Sequence, residues 1–255
     1  IKKPTIIQLK QCFTKYLHYG GFPRVVLEKD VALKQELLKN YFQTIYLKDI
    51  IYPHNLRNNK DVFDLLFFML SNAGKPFSYT SISKVLKIAV DTVKEYVKYA
   101  EEAYLMSAVT KYDPSVKKQI INPKKFYCID TGMINAAAFQ FSENRGRLLE
   151  NLVYETLIRT GADVYYHKEQ QECDFVIKKG LKITEAVQVT LSLKDPATRK
   201  RELKGLLEAM DKYKLKEGLI ITENEQETFT EGDKTITVKS AYRWLQEINT
   251  PISMS

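Results

Sequence analysis

The sequence predicts an α+β / α/β chain in three parts: a helical N-terminal segment (1–60), a helical part closed by a β-hairpin (61–138), and an α/β domain around a central mixed sheet (139–255). Three observations predict it. Apolar residues recur at the helical period through most of the first hundred positions. Beyond residue 160 they fall instead into short strand-length blocks separated by one long charged helix. The composition, 44% hydrophobic and 27% charged over 255 residues, suits a globular chain of one to three domains.

In residues 1–60 the spacing predicts helices over Ile6–Tyr19 and Ala32–Ile51, the second marked by Leu33, Leu37, Leu38, Tyr41 and Ile45. Between them lies GGFP, where Gly20 and Gly21 can end the first helix and Pro23 forbids its immediate continuation. Such short helices need something else to pack against.

The middle part has another rhythm. Asp61 opens the apolar helix VFDLLFFMLSNAG, which Gly74 ends; Ser78 or Thr80 then caps a short helix, and Asp91 is the expected cap of DTVKEYVKYAEEAYL. The strand-like MSAVTKY and KKFYCID follow, joined by the basic stretch DPSVKKQIINPKK. Helix, short helix, turn, helix and hairpin is the order of a winged helix-turn-helix. In DNA readers the later helix reaches base edges; here it would present Thr92, Lys94 and Lys98, with Lys117 and Lys118 on the wing, as the nucleic-acid-facing candidates. Asp91 and Glu95 share that face, and residues 61–135 contain no Arg, the commonest reader of guanine. Packing against protein competes equally with DNA reading.

The last part opens with the helix GRLLENLVYETLIRTG, closed by Gly161. Strands ADVYYHK, ECDFVIKK and KITEAVQVTL follow, then a charged helix over about 196–213, a strand EGLIIT, a hairpin around EGDK, strand TITVKS and a final turn AYRWLQ. Helix–β–β–β–α–β is the core order of the restriction-endonuclease-like fold.

Several classes are excluded or disfavoured. No run of about 18 apolar residues could cross a membrane, and the polar N-terminus lacks a signal-peptide core. Cys12, Cys128 and Cys173 are too few and too scattered for a disulfide framework or a zinc site, which fits a reducing cytoplasm. His18 and His54 have no ligand spacing; His167, near the strand entering the hairpin, could join a metal site but reads better as a lone surface histidine. No phosphate loop G-x-x-x-x-G-K-[ST] and no nucleophile elbow occurs. The formal net charge is +8, and residues 1–60 hold most of it, so the basic surface lies away from the α/β domain. The chain starts on Ile1 rather than Met, so a fragment of a longer chain is expected.

The stretches YLHYGGFPRVVL, YFQTIYLKDII, KKFYCIDTGMINA, GRLLENLVYETLIR, ECDFVI and TRKRELKGLLEA, in this order, resemble a family of prokaryotic AAA+-type ATPases. Its C-terminal half pairs a winged helix with a degenerate restriction-endonuclease-like domain. The resemblance implies that ATP is bound by an N-terminal ATPase module absent from this chain, which is then one partner. The others it leaves open are DNA held weakly and without sequence preference, an unidentified protein, and further copies of the chain.

The same resemblance places a Mg²⁺-dependent nuclease site on Glu150, Asp174, Gln188 and Thr190, the last two standing where Glu and Lys are usual. Losing the Lys removes the charge that steadies a pentacoordinate phosphate. Strand parity puts Lys182, Thr184, Ala186 and Gln188 on one face and Ile183, Glu185 and Val187 on the other, so Glu185 cannot substitute without a bulge. Lys200 or Arg201, on the following helix, is the better candidate for a migrated base. Asp174 could instead bond Thr190, His167 or a backbone amide, and Glu150 could pair with Arg147. Three readings follow: a non-catalytic binding region, a DNA endonuclease with a variant metal site, and a structural oligomerisation module.

Overall fold

The computed structural model describes residues 4–137 and 145–249, which divide into two units. One comprises residues 14–110 and 115–151; the other comprises 1–13, 111–114 and 152–255.

The first unit contains the C-terminal end of α1 (Ile6–Tyr19), then α2 (Pro23–Leu27) and α3 (Val31–Thr44), which widens into a π-helical turn over Ile45–Ile51. The GGFP stretch therefore ends one helix and begins another: Pro23 occupies the first turn of α2, where its missing N–H costs nothing. Asp30 caps α3 by accepting from the Leu33 N–H. Next come α4 (Asn59–Ser71), β1 (Pro76–Phe77), α5 (Tyr79–Leu86) and α6 (Val90–Glu102). Ser78 and Ser81 form a reciprocal capping box on α5, so Ser78 rather than Thr80 is the cap. Asp91 is not the cap of α6: Ala89 holds that position without a side-chain bond, and Asp91, already inside the first turn, pairs with Lys94 at 2.7 Å.

The unit continues with β2 (Met106–Thr110), α7 (Val116–Ile121), β3 (Lys124–Cys128), α8 (Thr131–Ala137) and the start of α9 (Arg145–Arg159). Both expected strands form, and two-residue β1 joins them in an antiparallel sheet ordered β1-β3-β2. The basic stretch carries the short α7, and IDTGMINA carries α8; neither was foreseen, because both are too short to show a period. Val62, Leu65, Leu66, Ile82, Val93, Ala100, Leu105 and Met133 form the fully buried centre of this unit. Burying a side chain of that size contributes about 1.5–3 kcal/mol, so the three helices α4, α5 and α6 are held mainly by this cluster.

The second unit contains β4 (Asp163–Lys168), β5 (Glu172–Lys179), β6 (Lys182–Val189), α10 (Pro196–Tyr213), β7 (Glu217–Thr222), β8 (Glu227–Glu231), β9 (Lys234–Ser240) and α11 (Ala241–Asn249). Its mixed six-stranded sheet runs β4-β5-β6-β7-β9-β8, with β6, β7 and β9 mutually parallel. AYRWLQ is a helix rather than a turn, its Tyr242 and Trp244 buried. α10 is capped by Asp195 and lies on the sheet through Leu206, Ala209 and Met210, which share a core cluster with Cys173, Val176 and Ile220. Gly205 sets how closely it lies: a Cβ there would stand 2.0 Å from the Glu172 carbonyl oxygen.

Strand parity fails in one place. The β5–β6 register steps between Ile177↔Glu185 and Lys178↔Ile183, leaving Thr184 unpaired as a bulge. Ile183 and Ala186 consequently enter the same core cluster despite their odd spacing. Glu185, on the far side of the bulge, is exposed and pairs with Lys179 at 2.7 Å.

Candidate functional site

The hairpin residues lie where β5 and β6 run beneath α10. Phe175 pairs with Val187, so Asp174 and Gln188 stand one step further along the two strands, both buried. The Asp174 N–H donates to Gln188 Oε1 at 3.3 Å, and Asp174 Oδ2 accepts from the Val189 N–H at 3.0 Å. Of the partners foreseen for Asp174, a backbone amide is thus one that it takes.

Gln188 extends the chain. Its Nε2 donates to Glu202 Oε2 at 2.6 Å, and Glu202 Oε1 accepts from Arg201 through Nε at 3.0 Å and a terminal nitrogen at 2.5 Å. Glu202 is itself only 7% exposed. Its carboxylate raises the Arg201 pKa above the ordinary value, first through the hydrogen bond and then through charge. The hairpin and α10 together therefore present an ordered run of Asp174, Gln188, Glu202 and Arg201, each group bonded to the next or to adjacent backbone. Lys200 lies on the exposed side of α10, and Thr190 donates its backbone N–H to the Ile221 carbonyl of β7.

Glu202 was missed in the sequence. The signal was present: Glu202, Gly205, Leu206 and Ala209 recur at helical spacing, so the glutamate sits on the buried stripe of α10.

Glu150, in the other unit, is held differently. Its Oε1 accepts from Lys125 Nζ at 3.1 Å and from the Tyr127 hydroxyl at 2.6 Å. Lys125 is 1% exposed and Tyr127 is fully buried, whereas the Glu150 side chain keeps 16% exposure, so the lysine end of the ion pair is the one taken out of water. Arg147, the partner foreseen for Glu150, donates to the Ser71 carbonyl oxygen. Beside Glu150, Asn151 bridges β3 by donating to the Cys128 carbonyl and accepting from its N–H.

A nuclease-type Mg²⁺ centre needs two or three hard oxygen ligands converging on one point. In this bonding pattern Gln188 turns its NH₂ to Glu202 and its oxygen to a backbone N–H, which is not a ligand's orientation. Among the described residues, no group of three His, Cys, Asp or Glu side chains could hold a metal ion. Gln188, so bonded, does not turn its oxygen to a metal.

On α6, Lys94 pairs with Asp91 and Lys98 with Glu102 at 3.5 Å, so both foreseen lysines of this helix have an acid of the same helix beside them. Thr92 is half-buried; Lys117 and Lys118 are exposed on α7.

His167 is a correction: it is 1% exposed, not a surface residue. Its Nδ1 is 3.0 Å from the Tyr213 hydroxyl and its Nε2 is 3.1 Å from Glu208, which also accepts from the Gln171 N–H. Burial lowers its pKa below 6.5, against the opposing pull of Glu208. Burial likewise pushes the Tyr213 phenol well above its ordinary range.

Residues 10–144 match the family described as "Domain of unknown function (DUF8612)", and residues 145–242 match "Domain of unknown function (DUF4143)". The first match spans more than half of the chain, which therefore belongs to that family. An "Uncharacterized protein MJ1544" of Methanocaldococcus jannaschii is 31% identical over 251 residues, covering 93% of this chain and 55% of the relative. An "Uncharacterized protein" of Haemophilus influenzae is 28% identical over 208 residues, covering 79% and 51% respectively. The chain spans about half the length of these curated relatives. No described helix is long and apolar enough to cross a membrane.

Proposed function

For this member of the family "Domain of unknown function (DUF8612)", we propose a non-catalytic role: it is the C-terminal region of an AAA+-type ATP-binding protein, and its nuclease-like core has become a binding scaffold. ATP would be bound by a separate N-terminal module of the whole protein. In this reading α4, α5, α6 and the three-stranded sheet act as a winged helix, and the six-stranded unit as a degenerate restriction-endonuclease-like domain.

The observation that carries the reading is the bonded run Asp174–Gln188–Glu202–Arg201. Hydrolysing a phosphodiester would need carboxylates turned toward a metal and a lysine beside them. Here an amide of the hairpin separates Asp174 from Glu202 of α10, that glutamate is held by Arg201 of the same helix, and Thr190 has no charge to offer.

Calorimetry with Mn²⁺ and Mg²⁺ tests it. Binding weaker than about 1 mM, unchanged by Asp174→Ala, is the expected result. Micromolar binding that disappears in Asp174→Ala overturns it.

The partner follows from charge. The lysines of α6 are already paired with acids, so duplex DNA should bind weakly, without sequence preference, and be lost by about 200 mM salt. A sequence-specific complex that survives such salt would overturn that part and favour a DNA reader. A second reading, a Mg²⁺-dependent endonuclease, has one observation in its favour: Glu202 brings a further carboxylate to within hydrogen-bonding distance of Gln188.

A further inference from the structure

Two motifs find no use in the hairpin: YLHYGG at the end of α1, and IDTGMINA at α8. The structure joins them. Gly20 has φ +74°, and a Cβ there would stand 1.7 Å from Asp130 Oδ1, so only glycine lets the two segments meet. Asp130 is buried and accepts from the Gly21 N–H at 2.7 Å and the Gly132 N–H at 2.8 Å. Thr131 donates its hydroxyl to the Tyr16 carbonyl at 3.2 Å, and Asn135 Nδ2 donates to the His18 carbonyl at 2.7 Å. The last turn of α1 is thereby fixed against α8.

That fixation has a spatial product. His18 and Tyr19 of α1, Asn135 and Ala136 of α8, and Gln35, Leu38 and Lys39 of α3 line a cleft of about 260 Å³ within this one unit. Most of these side chains carry hydrogen-bonding groups, with buried Leu38 giving an apolar wall. Among the residues that line the cleft, Lys39 carries the positive charge; Lys34, over the Tyr19 ring at 5.3 Å, spends its ammonium on the Val25 and Val26 carbonyls. None of the residues that line the cleft is an acid.

We propose that this cleft binds a small phosphorylated organic molecule, with Lys39 holding the phosphate and Gln35, His18 and Asn135 satisfying its remaining oxygens. Lysine and two side-chain amides offer more donors than a single carboxylate has oxygens to receive, which favours phosphate. A cleft of about 260 Å³ has room for an organic portion beside the phosphate.

The probe is glycerol 3-phosphate, titrated into the intact chain by calorimetry while the His18 ring signals are followed by NMR. Inorganic phosphate and neutral glycerol are the comparison ligands. One-to-one binding of glycerol 3-phosphate, tighter than that of inorganic phosphate and absent for glycerol, is expected, together with displaced His18 signals. Lys39 is exposed, so Lys39→Ala should leave the unfolding midpoint unchanged while weakening the probe about tenfold; Gln35→Ala should weaken it less. Three outcomes would overturn the proposal: no binding, binding as tight in Lys39→Ala with His18 unmoved, or equal affinity for inorganic phosphate.

Discussion

Glu150 and Asp174 are cast by the nuclease resemblance as ligands of one metal, yet the structure answers them in different ways. Glu150 meets a buried lysine and a phenol; Asp174 meets backbone amides and sits beside an amide side chain that leads to a second acid. The first environment neutralises a carboxylate with a full charge, so neither partner can leave alone. In the second the carboxylate accepts from the Val189 N–H, while Arg201 is bonded to Glu202. A carboxylate retained in a sequence thus says little about its chemistry until its neighbours are known.

Breaking the charged side should cost most. Lys125→Met leaves Glu150 with its charge and without its counter-ion, and should lower the stability of its unit by about 3 kcal/mol. The double variant Lys125→Met/Glu150→Gln should recover most of that loss in urea denaturation, because the uncompensated charge is then gone. Equal losses in both would mean that packing, not charge, sets the cost.

On the hairpin side the largest effect should come from Gly205→Ala. The added methyl meets the Glu172 carbonyl and lifts α10, and with it Glu202, at a cost of about 2 kcal/mol. A smaller and more informative change is Gln188→Glu. It replaces a donor to Glu202 by a third acid, so a loss of about 1–2 kcal/mol is expected in the presence of a chelator. Mn²⁺ should restore part of that loss in the variant and none in the parent; a parent melting curve that rises with Mn²⁺ would erase the contrast between the two carboxylates.

The smallest effect concerns pH. His167 has its folded pKa below 6.5, so the unfolded chain binds the proton more readily. Its contribution to stability is fully present above pH 6.5 and is lost as pH falls from 6.5 toward the folded value. The facing groups Glu208, Glu169, Tyr213 and Lys111 remain in His167→Gln, so the variant should flatten this part of the stability profile. His18 is lowered in the same direction, so the comparison must be made between parent and variant. An unchanged slope between pH 5 and 6.5 would assign the effect elsewhere.

How much of this was legible depended on the length of each signal. The long periodic helices and the strands of the mixed sheet were readable because burial stripes such as Val93, Tyr96, Val97 and Ala100 repeat over several turns. Helices α2, α7 and α8 were not, since five to seven residues span too few turns for a period to emerge. The bulge at Thr184 was invisible because strand parity assumes an unbroken ladder. At the hairpin, Asp174 and Gln188 were identifiable from position. Glu202 was readable only as a glutamate on an apolar stripe, and Lys125 not at all, because a lysine in KKFYC reads as a solvent-facing residue. Tertiary partners decide such cases, and the local sequence does not contain them.

Whether the hairpin is a scaffold or a nuclease centre is decided by cleavage of plasmid and linear DNA in Mg²⁺ or Mn²⁺ by the parent beside Asp174→Ala. No cutting, or equal cutting by both, is the expected result. Cutting by the parent that Asp174→Ala abolishes would contradict the scaffold reading and make Gln188 and Thr190 working members of an active site.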